Sequence, residues 1–200
     1  MSINVCNDRS MASITSLPSG VSGGSLVLIS TVTASSSATV EFTSGIDSTY
    51  KEYQVHYIDV HPATDNVHFQ VNFRDGSTAY DATKTTTYFR AFQGEDDSSA
   101  ALGYDDGVDL AQSTAVQVLN QTVGADNDQS VSGILHLFDP SSTTFVKHFI
   151  ARGNRAQSAN FSVDDYVAGY CNTTAAIDGI QFSFASGNIG AGTFKLYGVV

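Results

Sequence analysis

Carboxylates crowd one stretch of the chain, Gly94-Glu-Asp-Asp97 followed by Tyr104-Asp-Asp-Gly-Val-Asp109, and recur in Asp126-Asn127-Asp128. A hard cation such as calcium takes roughly six to eight oxygen ligands, which clustered loop carboxylates can supply. The spacing lacks the alternating oxygen-bearing side chains and terminal Glu of a twelve-residue calcium loop. These runs therefore read as solvated acidic loops, and no metal site is expected from them. The histidines His56, His61, His68, His136 and His148 form neither a His-x-His nor a His-Glu-x-x-His pattern. His56 and His61 are an odd number of residues apart, so an unbroken strand would point them to opposite faces. With Cys6 and Cys171 isolated in the chain, nothing presents the converging ligands that zinc needs.

Nucleophilic catalysis fares no better. Ser19-Gly-Val-Ser-Gly-Gly24 is the nearest approach to a Gly-x-Ser-x-Gly elbow, but it sits in a polar segment with no strand before it and no helix after it. The Gly-rich stretches lack a P-loop lysine. No catalytic residue, cofactor-binding residue or cofactor is expected, and the chain reads as a non-enzyme. Nine Tyr and twelve Phe stand against no Trp. Tyr50, Tyr53, Tyr57, Tyr80, Tyr88 and Tyr104 could serve as sugar platforms, yet most occupy positions that a core would claim.

The elements that would carry these residues are strands. Candidate runs are Ser25–Thr33, Ala38–Thr43, Lys51–His61, Val67–Arg74, Thr86–Phe92, Val131–Phe138, Thr144–Arg152, Asp165–Cys171, Gly179–Phe184 and Gly192–Val199. They are rich in Val, Ile, Phe, Tyr and Thr and are bounded by Gly, Asp, Asn, Pro or Ser. Residues 108–121 fit a helical period through Val108, Ala111, Ala115, Val118 and Leu119, while their last third alternates like a strand. In Val67–Arg74, Val67, Phe69, Val71 and Phe73 alternate with His68, Gln70, Asn72 and Arg74, as in a sheet with one face on a core. A hairpin of Lys51–Arg74 would set Val60 against Val67 and Ile58 against Phe69. The run Val131–Arg152 instead has apolar residues on both faces: Val131, Leu135 and Leu137 on one, Ile134 and Phe138 on the other, with Phe145, Phe149, Val146 and Ile150 returning. One face can meet the core; the other is a candidate subunit interface unless residues 93–121 fold over it. The expected fold class is all-β: a two-layer antiparallel β-sandwich, jelly-roll-like, of eight to ten strands.

Two hundred residues with 42% hydrophobic content suit one domain with a sizeable core. Only 14% of residues are charged and the net charge is −11. From Ala91 to Val146 there is no base but nine acids, so that stretch cannot track a phosphate backbone. Neither nucleic acid nor an anionic membrane is an expected partner. The start carries no basic or apolar leader region, and the longest apolar run, Leu26-Val-Leu-Ile29, is too short to span a bilayer. No signal peptide is expected, and the two thiols read as reduced and structural. Residues 1–24 are polar and Ser/Gly-rich and are expected to form an extended N-terminal arm used as an assembly contact, with residues 25–200 as the single β-domain. The few apolar side chains of the arm (Ile3, Val5, Met11, Ile14, Leu17, Val21) could not alone offset an ordering cost of roughly 1–2 kcal/mol per residue.

Two segments carry a resemblance. Gly133-Ile-Leu-His-Leu-Phe-Asp-Pro-Ser-Ser-Thr-Thr-Phe-Val-Lys-His-Phe149 and Ile180-Gln-Phe-Ser-Phe-Ala-Ser-Gly-Asn-Ile-Gly-Ala-Gly-Thr-Phe-Lys-Leu-Tyr-Gly198 resemble framework strands of virion structural proteins of tailed phages, particularly those of marine hosts. Ile58-Asp-Val-His-Pro-Ala63 resembles the same group. The resemblance implies a jelly-roll-like component of a bacteriophage virion, as a capsid decoration (cement) protein or another particle-surface protein. A tail or fibre protein that binds a receptor or carbohydrate is the alternative. Self-association as a homo-oligomer, with a trimer expected, follows instead from the two apolar faces of Val131–Arg152 or its neighbours, while the particle role implies contacts with other virion proteins, and with host glycan if the protein is tail-located. The resemblance implies no catalytic residues.

Overall fold

The computed structural model describes residues 25–200. The expected arm 1–24, with Cys6, lies outside them. Twelve strands follow one another: β1 Leu26–Ser37, β2 Val40–Phe42, β3 Glu52–Pro62, β4 Val67–Arg74, β5 Lys84–Gly94, β6 Ala100–Tyr104, β7 Gln117–Val123, β8 Val131–Phe138, β9 Lys147–Gln157, β10 Phe161–Cys171, β11 Gly179–Phe184 and β12 Ile189–Val199. Among the described residues there is no helix. The all-β expectation holds, with more strands than the eight to ten anticipated. The ambiguous stretch 108–121 ends in β7, where Val118 and Leu119 are both buried.

Every ladder is antiparallel. One run of neighbours is β1-β12-β3-β8-β9-β10-β5-β6 and another is β7-β4-β11-β2. A single ladder pair, Val123 with Gln157, joins the two runs as neighbouring strands, and together they curl into a nearly closed, barrel-like sheet. Aromatic rings fill the space between the runs. Phe69 of β4 lies 5.2 Å from Tyr57 of β3, 5.7 Å from Phe182 of β11 and 6.2 Å from Phe194 of β12, centroid to centroid. Val67, Phe69, Val71 and Phe73, the face expected on the core, are all buried, and so are Phe182, Phe184, Phe194 and Leu196.

The Lys51–Arg74 hairpin is not formed. β3 pairs with β12 and β8, so Val60 faces Val131 and Ile58 faces Thr193. β4 pairs with β11 and β7, so Phe69 faces Phe184 and Asn120. Period-2 alternation fixes which face a residue takes but not which strand lies beside it, and the aromatic core places β3 and β4 on opposite sides. β3 is also broken by a bulge at Ile58 and Asp59, with Asp59 in the left-handed region at φ 50°. The bulge inverts the alternation, so Tyr53, Val55 and Tyr57 before it and Val60 and Pro62 after it all point inward. His56 and His61 consequently share the outer face, against the parity expected of an unbroken strand.

Gly133 of β8 and Gly153 of β9 are direct cross-strand partners beneath Tyr57. A Cβ at either would collide with the Tyr57 hydroxyl, so both glycines are spaces that this ring fills. The ring is wholly buried, which pushes its phenol pKa well up, and its hydroxyl donates to the Arg152 carbonyl at 3.4 Å.

Candidate functional site

Where β5, β7, β9 and β10 meet, the interior is polar. Asp165 of β10, fully buried, accepts from Tyr88 through Oδ1 at 2.6 Å. Its Oδ2 accepts from Arg155 Nε at 2.7 Å and from Asn120 Nδ2 at 2.8 Å. Arg155 Nη1 donates to Thr122 Oγ1 at 2.9 Å. Burial first, and then the neighbouring Asp165 charge, push the Tyr88 phenol well above its ordinary value. With both carboxylate oxygens engaged and no exposure, this cluster is a cross-tie from β5, β9 and β10 to β7 of the other run. Two of its members were readable by phase: Asp165 shares the buried phase of Val163 and Val167, and Arg155 that of Phe149, Ala151 and Gly153. Starting the strand at Asp165 and ending its neighbour at Arg152 hid both.

At the end of these strands Cys171 of β10 sits between Lys84 of β5 and Lys147 of β9, its partners in the two ladders, and all three are buried. Burial pushes the Cys171 thiol up to about 12 and the Lys84 ammonium down to about 8, and also lowers Lys147. Among the described residues Cys171 has no disulfide partner, and Cys6, the other thiol, lies outside them.

The acidic segments are dispersed onto separate partners. Asp105 pairs with Arg90 at 3.4 Å, and Asp109 accepts from the Tyr104 hydroxyl. Asp97 accepts from Gln93, and Asp96 accepts from the Ser98 amide. Among the described residues no group of three or more His, Cys, Asp and Glu could hold a metal ion. The histidines are spread likewise: His61 Nδ1 meets the Gln129 carbonyl, His68 Nδ1 accepts from the Thr122 amide, His136 meets Glu52, and His56 packs on Tyr197. Of the candidate sugar platforms, Tyr53, Tyr57 and Tyr88 are core residues, whereas Tyr104 is exposed.

The feature that faces solvent is the outer surface of β8, β9, β10, β5 and β6. Ladder register places Ile134, Arg152, Tyr166, Phe89 and Tyr104 in one row across the five strands. Phe89 and Tyr166 stack with centroids 4.7 Å apart and planes 4° from parallel. The Arg152 guanidinium lies 4.9 Å above the Tyr166 ring and grips Asp164 with two nitrogens, the shorter contact being 2.7 Å. That grip holds the Asp164 carboxyl below its ordinary value. Leu102, Ile150 and Tyr104 are 72%, 49% and 57% exposed, values that mark a face no part of the described chain covers. A shallow trough of about 440 Å³ crosses it where Ala168 and Gly169 run between Ile150 and Thr87.

This is the second face of Val131–Arg152 that the sequence left without a partner. Residues 93–121 do not fold over it: β6 extends the sheet at its far edge and β7 joins the other run. Phe145 lies in the turn before β9 rather than on a strand, so it projects outward while Phe149 is buried. Sequence reasoning missed Phe89, Leu102 and Tyr166 as members of this face; Phe89 stood in a predicted strand, but only the pairing of β5 with β10 brings it beside Tyr166. No model of a known protein family matches the chain, and no curated protein matches it.

Proposed function

We propose that this protein is a non-enzymatic structural component of a virus particle, a capsid decoration protein, that docks onto further copies of itself through the outer face of β8, β9, β10, β5 and β6. The observation that carries the reading is that face: exposed Phe89, Leu102, Tyr104 and Ile150 and half-buried Ile134 and Tyr166 lie on one side of five adjacent strands, neighbours in the ladders rather than scattered singly. A second copy is the occupant that its charge favours. The outward rows hold one closed ion pair, Arg152 with Asp164, whereas the chain as a whole carries −11. Two like-charged acidic chains repel through most of their surfaces and least through this one. The packing of β4 and β11 aromatics against those of β3 and β12 supports reading the two runs as the layers of a sandwich, the architecture that jelly-roll particle proteins use.

A tail-located, glycan-binding role is the competing reading, favoured by the exposed Tyr104 and the Phe89–Tyr166 stack beside Asp164 and Asn154. Replacing Leu102 and Ile150 together with Glu tests the first reading. Loss of self-association in light scattering, with an unchanged melting midpoint, is expected. Unchanged oligomers overturn the assignment of this face, and a monomeric wild-type chain that binds glycan arrays through Tyr104 favours the second reading. In purified particles, a copy number that matches the capsid lattice is expected; one that matches the tail supports the alternative.

A further inference from the structure

Lys84 and Asn72 meet in the interior, one from each run of strands. Lys84, at the start of β5, is fully buried, and Asn72, on β4, is 5% exposed. Lys84 Nζ lies 2.5 Å from Asn72 Oδ1 and 2.7 Å from the Ala82 carbonyl. Among the described residues no carboxylate pairs with this amine. A buried lysine without a counter-ion is held in its neutral, nucleophilic form far more readily than one in water, in keeping with the downward displacement of its pKa to about 8. The carboxamide beside it is polarised. Oδ1 also accepts from the Phe73 backbone amide at 3.0 Å, and Nδ2 donates to the Thr114 carbonyl at 3.3 Å. An amine, an amide carbon and a backbone N–H donor on the amide oxygen are thus assembled where water is excluded. These are the parts of an acyl-transfer site.

We propose that Lys84 and Asn72 are the site of a self-catalysed isopeptide bond that cross-links β5 to β4. The Lys84 amine attacks Asn72 Cγ, with the developing negative charge on Oδ1 met by the Phe73 N–H. The Nζ–Cγ bond forms and the Cγ–Nδ2 bond breaks. The proton shed by Nζ passes to the departing nitrogen, which leaves as ammonia. No oxidant, metal or cofactor enters the balance. The bond would staple together two runs of strands whose ladders meet, among the described residues, only at the Val123–Gln157 pair. This inference stands independently of the proposed particle role, since it rests on the interior contact alone.

Intact-mass spectrometry of the full chain after purification and incubation at mildly alkaline pH tests it. The expected result is a mass lower than that of the sequence by one ammonia. A tryptic digest should contain residues 52–74 joined to residues 75–90 with cleavage blocked at Lys84, which separates the cross-link from simple succinimide formation. The Lys84→Arg and Asn72→Ala variants should each keep the full mass. If either variant fails to fold, the wild-type peptide map decides alone. A wild-type chain of full mass, or one cleaved normally after Lys84, overturns the proposal.

Discussion

Arg155 Nε lies 2.7 Å from Asp165 Oδ2 with neither side chain exposed, so an ion pair on adjacent strands is sealed in the interior beside Tyr88 and Asn120. Breaking a buried pair from one side leaves an uncompensated charge and costs about 3–5 kcal/mol. Arg155→Met should therefore destabilise the protein by that amount in urea denaturation. Adding Asp165→Asn to Arg155→Met should recover part of the loss, because the stranded carboxylate is gone. A double variant as unstable as the sum of the two single ones would mean that the pair is not coupled.

Phe69 touches rings from both runs of strands and is wholly buried. Phe69→Ala should cost about 3–5 kcal/mol in the same measurement. Phe145→Ala, at a side chain 71% exposed, should stay within about 0.5 kcal/mol of the wild type in stability.

Acid should weaken the fold. Burial, first of all, lowers the pKa of His56 and His68, so both rings are favoured neutral in the folded state. As pH falls through about 6.5 the unfolded chain takes up these protons before the folded one does, and stability declines. Asp164 adds to this at lower pH: its hydrogen bonds from Arg152 stabilise the fold above its unfolded pKa and are lost as pH falls through the lowered folded value. Denaturation midpoints should thus fall between about pH 7 and about pH 5, and His68→Gln should flatten the slope. A slope unchanged by that substitution would remove His68 from the account.

Much of the fold was legible because burial imposes a period. Val67–Arg74, Val131–Phe138 and Gly179–Phe184 have the bounds their alternation indicated. Partner choice was not legible. The short Lys51–Arg74 connection suggested a hairpin, but the cluster of Phe69, Tyr57 and Phe194 holds β3 and β4 across the core from each other. β6, Ala100–Tyr104, escaped because it is an exposed edge strand with no apolar alternation and poor strand formers. The outer face was half legible. Ile134 and Ile150 showed that the Val131–Arg152 segment was apolar on both sides, but Phe89, Tyr166 and Leu102 join it only through pairings set far along the chain. The buried lysines looked like ordinary surface charges, since nothing local distinguishes Lys84 from Lys51.

Self-association through the outer face is the central claim, and light scattering across a wide concentration range measures it most directly. The wild-type chain should give a discrete oligomer, with a trimer of three chain masses expected, and the Leu102→Glu, Ile150→Glu double variant should give a single chain mass with an unaltered melting curve. A wild-type protein that stays at one chain mass at the highest concentration, or a variant that assembles as the wild type does, would contradict the account.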